Sequence, residues 1–65
     1  MKYTVRFSTR ESGWVNIATV DTVEKAVEEF NYQLKMDEHE KDTTNKTQII
    51  DDTGKVIKDY EAENY

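Results

Sequence analysis

The sequence contains no cysteine and no proline, only two glycines, and a single histidine among 65 residues. Without cysteine there is no disulfide framework, no thiolate metal ligand and no thiol nucleophile. His39 stands alone, so the paired histidines of a His-Glu-x-x-His zinc site are missing as well. Long apolar runs are also absent: nothing approaches the ~20 residues that a membrane-spanning helix requires. The first residues alternate polar with apolar instead of forming an apolar block, so a secretory signal is not expected. Basic residues are the minority. Nine Lys and Arg stand against fourteen Asp and Glu, for a formal net charge of -5.

What is present is patterning. In residues 1–9, Tyr3, Val5 and Phe7 fall on one face and Lys2, Thr4, Arg6 and Ser8 on the other, the period of a half-buried strand. Residues 9–13 read as a hairpin loop in which Gly13 suits a left-handed position. Residues 14–20 form a second strand, with Val15, Ile17 and Thr19 on one side and Trp14, Asn16, Ala18 and Val20 on the other. Asp21 then reads as a helix cap, with Glu24 completing a capping box and Thr22 as the competing cap. Val23, Ala26, Val27, Phe30 and Leu34 follow at spacings of three and four, one apolar stripe of a helix. That helix should reach Lys35 at least, and no breaker intervenes before Lys41. Residues 42–45 connect it to a third strand, 46–51. A tight turn at Asp52, Thr53 and Gly54 leads into a fourth strand, 55–60, and a polar tail that frays. The expected inward set is Tyr3, Val5, Phe7, Val15, Ile17, Val23, Ala26, Val27, Phe30, Leu34, Ile49, Val56 and Tyr60.

This order predicts one α+β domain over residues 1–65, ββαββ, with one helix packed on a four-stranded, mostly antiparallel sheet. Two pairings fit. The sheet is wholly antiparallel, or the first and last strands pair in parallel as in a β-grasp. In element order and length the chain resembles the small immunoglobulin-binding domains of streptococcal surface proteins, a likeness of architecture that transfers no function. The stretch GWVNIATVDTVEKAVEEF followed by IIDDTGKVI resembles small bacterial and bacteriophage accessory proteins, inhibitors of the anti-CRISPR and anti-restriction type among them. That resemblance implies a cytoplasmic protein of a microbe or of a phage-infected cell.

No constellation for catalysis stands out. Ser8 and Ser12 have no histidine near them in sequence, and adjacent Asp51 and Asp52 read as turn residues. Asp37, Glu38, His39 and Glu40 set no two strong ligands on one helical face, and a solvated helix end accounts for them. Gly13 and Gly54 stand singly, so no glycine-rich phosphate loop is present. Neither an enzyme nor a cofactor or metal site is expected.

Two surfaces remain. Charge is unevenly spread: residues 1–20 carry +2, residues 21–45 carry -5 and residues 46–65 carry -2. The helix and its trailing segment therefore hold most of the negative field. Glu24, Glu28, Glu29, Asp37, Glu38, Glu40 and Asp42, with Tyr32 beside them, would repel nucleic acid and attract a protein partner with a basic surface. A row of carboxylates of this kind can imitate phosphates on a host nucleic-acid-handling complex. It also simply keeps a small protein dissolved. The second surface is the open face of the sheet, where Arg6, Trp14 and Asn16 meet. An Arg and a Trp side by side stack bases in single-stranded nucleic acid, or anchor a protein contact or self-association. Against both stands a Trp14 that merely caps the core. The state expected is a monomer or a homodimer.

Overall fold

A computed structural model of the chain describes residues 1–9, 13–40 and 45–61, with side chains for all of these except Thr9, residues 36–40 and Asn45. Four strands and one helix follow in the expected order: β1 (Tyr3–Thr9), β2 (Val15–Val20), α1 (Val23–Glu40), β3 (Asn45–Asp51) and β4 (Val56–Glu61). They form a single sheet of order β2-β1-β3-β4, and every neighbouring pair is antiparallel. The wholly antiparallel pairing is the one adopted. β1 lies against β3, and the parallel first-to-last pairing of a β-grasp does not occur.

The core sits between this sheet and α1. Val5 and Ile49 face each other across β1 and β3, and Ala26 and Phe30 close on them from the helix; all four are buried. Tyr3, Ile17, Val20, Val27 and Leu34 pack around this centre. α1 lies over β2, β1 and β3 and makes no close backbone approach to β4. Every residue of β4 is accordingly exposed. Beyond Ile49, the place of an apolar partner is taken by Lys58, whose ammonium lies 5.5 Å from the Phe30 ring. Four residues expected inside are outside. Tyr60 is on the uncovered strand, and an extra residue in β4 sets Val56 on the open face across from Ile50. Val15 opens β2 opposite Phe7, at the end of the strand away from the start of α1, and Val23 is the first residue of α1.

β2 breaks the simple alternation. Val5 pairs Ala18 but Arg6 pairs Asn16, so Ile17 is an extra residue, a bulge. The bulge lets Ile17 and Val20 both join the core. It also turns Thr19 to the other face, where its hydroxyl meets that of Thr4 at 3.4 Å. The face expected from strict alternation, Val15 with Ile17 and Thr19, is therefore split.

Local chemistry fixes the ends of the elements. Thr22 caps α1: its Oγ1 accepts from the Lys25 amide at 3.2 Å, and its carbonyl accepts from Ala26. Of the two candidates Thr22 takes the role. Glu24 sits one position too early for a capping box, and Asp21 pairs instead with the Lys25 ammonium at 3.3 Å. In the β3–β4 turn, Asp51 Oδ1 accepts from the Thr53 amide, the Thr53 hydroxyl and the Lys55 amide. Gly54 follows at φ 88, the left-handed region that a side chain disfavours. Among the described residues Gly54 is the one glycine at positive φ, and it belongs to the second hairpin.

Candidate functional site

The ladder arranges the open face of the sheet in rows. One row runs Thr19, Thr4, Ile50, Val56, and the next runs Asn16, Arg6, Gln48, Asp59. Arg6 is the centre of the second row because β1 is an inner strand, and its side chain is the one opposite in sense to core-facing Val5. The Arg6 guanidinium stacks on the Trp14 ring at 4.4 Å. Its Nε and Nη2 both donate to Gln48 Oε1, at 3.1 and 2.9 Å. Arg6 is half-buried, whereas Trp14 is 40% exposed. Trp14 thus lies over an arginine on the open face and does not cap the core. Asn16 is exposed beside the pair.

Arg6 and Gln48 are 42 residues apart in sequence and meet because β1 pairs with β3. Sequence reading found Arg6, Trp14 and Asn16 but missed Gln48, since alternation names the face of a residue and not its neighbour across strands. Physically, Gln48 matters as much as Trp14. The ring takes one face of the guanidinium and the amide oxygen takes one of its edges, so the planar group is held in one orientation. Among the described residues no carboxylate pairs with it. A cation already stripped of part of its water and fixed in place can accept a carboxylate or phosphate at little ordering cost.

The acidic residues sit elsewhere. Glu24 and Glu28 are exposed on α1 and Glu29 is half-buried. Tyr32 is 57% exposed. Glu28, Glu29, Asn31, Tyr32 and Lys35 line a shallow depression on the side of α1 facing away from the sheet. The helix backbone runs on through Asp37, Glu38 and Glu40, whose side chains lie outside the described residues, as does Asp42. Among the described residues, the two carboxylates that depart from the ordinary aspartate range belong to neither surface. Asp51 is held low by its bond from the Thr53 hydroxyl, and Asp21 by its hydrogen bond and charge pairing with Lys25.

Among the described residues no cluster of His, Asp or Glu gathers in the way a metal ion needs. No helix among them is long and apolar enough to cross a membrane. Comparison with known proteins finds no family model, no curated protein and no solved structure that matches the chain.

Proposed function

We propose that the chain is a small non-enzymatic interaction module whose recognition surface is the open face of the sheet, centred on Arg6 and Trp14. The observation that carries this reading is the fixed, half-buried guanidinium between Trp14 and Gln48, with which no carboxylate pairs among the described residues. Arg and Trp are the residues that most often dominate binding energy at protein interfaces. A net charge of -5 disfavours a polyanion such as nucleic acid as the ligand, and the held guanidinium itself suits a single carboxylate on a protein partner.

A second surface has support of its own. The exposed Tyr32 in a depression flanked by Glu28 and Glu29 gives the acidic helix an aromatic anchor, which a merely solvating face does not need. On this reading the helix docks on a basic surface of a host nucleic-acid-handling complex, as a phage or mobile-element inhibitor would.

Capture from bacterial lysate with the parent and two variants separates them. Capture by the parent should be insensitive to nuclease treatment, Arg6→Gln with Trp14→Ala should abolish it, and Glu28→Lys with Glu29→Lys should retain it. The reverse pattern transfers the function to the helix. Retention by both variants removes both surfaces from the proposal.

A further inference from the structure

The sheet has two edges, and they are built differently. β4, from Val56 to Glu61, carries Lys58, Asp59 and Glu61. β2 and the residue before it, from Trp14 to Val20, carry no charge at all. Charged side chains on an edge strand are the usual guard against another strand adding to it. β2 lacks them, although like β4 it contains one extra residue. The apolar side chains nearest this unguarded edge are left in water: Trp14 at 40%, Val15 at 46% and Val23, just after the strand, at 38% exposure. Trp14 lies on the open face, and Val15 shares the face of its partner Phe7.

We propose that β2 is a self-association edge: two copies of the chain join β2 to β2 in antiparallel fashion, giving one continuous eight-stranded sheet with both helices on the same side. The choice of occupant follows from charge. A two-fold axis perpendicular to the sheet sets each residue before the centre against the equivalent residue after it in the other copy. At β4 a centre on Lys58 opposes two lysines, a centre on Asp59 opposes two aspartates, and a centre on Tyr60 sets Asp59 against Glu61. At β2 no register opposes like charges. For a protein of net charge -5, whose remaining surface repels a second copy, this is the edge along which two copies approach without that penalty. Joining there would satisfy the alternate β2 amides and carbonyls that face away from β1, and would bring together the exposed Val15 and Val23 of both copies on the helix side.

The proposal is independent of the Arg6 surface, and the test keeps the two apart. Sedimentation of the parent over increasing concentration should show mass moving from one chain towards two. Val15→Lys with Thr19→Lys, two exposed positions on opposite faces of β2, should weaken that association about tenfold or more by like-charge repulsion. Circular dichroism should show the variant folded. Val56→Lys on β4 should leave association unchanged. Amide exchange gives the direct signature: in concentrated parent protein the β2 amides that do not bond β1 become protected. A parent that stays monomeric at every concentration overturns the proposal. So does a dimer that survives the β2 lysines or is lost with Val56→Lys. A dimer that leaves those amides unprotected also overturns it and indicates contact through the open face.

Discussion

Replacing each glycine by alanine isolates the energy of one backbone angle. Gly13 and Gly54 are alike in what packing touches: a Cβ built on either meets no atom of the described residues within 4 Å. Both substitutions remove the same freedom from the unfolded chain, which at a compatible site stabilises a protein by ~0.4–1 kcal/mol. They differ in one thing. Gly54 has φ 88 and is the one glycine at positive φ among the described residues. Forcing an alanine into the left-handed region costs ~1–2 kcal/mol. Gly13→Ala should therefore raise stability slightly and Gly54→Ala should lower it, with a gap of ~1–2 kcal/mol between the variants. A domain of this length holds only ~3–10 kcal/mol in total, so the gap is a sizeable fraction of it. Each kcal/mol moves the midpoint of thermal unfolding by ~4–8 °C at this size. Urea unfolding followed by Trp14 fluorescence, and heating followed by circular dichroism, would both read it. Gly54→Asn should recover part of the loss, since asparagine tolerates this region better than alanine. Equal stability of the two alanine variants, or a larger loss at Gly13, would refute the reasoning, because among the described residues φ is what separates the sites.

Thr47 is fully buried between Phe7 and Tyr60 in the ladder, and its hydroxyl has no hydrogen-bond partner among the described residues. Thr47→Val keeps the shape and removes that hydroxyl, so stability should rise by ~1 kcal/mol in chemical denaturation; a loss instead would mean the hydroxyl is bonded in solution. Asp51 organises the β3–β4 turn in its ionised form, which holds its carboxyl below the ordinary aspartate range. The sign follows directly: the stabilisation is complete above the unfolded value, about pH 4, and is lost as pH falls through the lower folded value. Asp51→Asn should consequently be less stable than the parent at neutral pH and converge with it in acid; a difference that persists unchanged to low pH would place the effect elsewhere.

Much of this fold is legible in the residues. The 3–4 spacing from Ala26 to Leu34 names the helix face, and the period of two from Tyr3 to Phe7 names the core side of β1. Asp52-Thr53-Gly54 marks its turn. What could not be read is what depends on registration. The bulge at Ile17 moves Val20 in and Thr19 out, and no local signal announces an extra residue in a strand. Whether β1 takes β3 or β4 as its neighbour is settled by long-range pairing that the strand sequences alone leave open. The site shows the same division. Arg6 and Trp14 were visible as residue types on one face, but their lock, Gln48, depends on the register of β1 against β3. The exposure of Tyr60 follows from the narrow reach of one helix over four strands, and that of Val56 from the extra residue in β4 that sets it on the open face.

The central position of β1 has a consequence for how the chain reaches this state. β1 meets β2 after a short loop, but its other neighbour begins at Asn45, beyond the whole of α1. Contacts of such separation form slowly, because the closure of the intervening chain precedes any reward from them. The β1–β2 hairpin and the β3–β4 hairpin are each local and can form independently, as can the first turns of α1. Docking β3 on β1 is the step that joins the two halves, and during synthesis it cannot begin until β3 has emerged. Until then β1 presents a bare inner edge, the span in which this small chain is most open to mispairing.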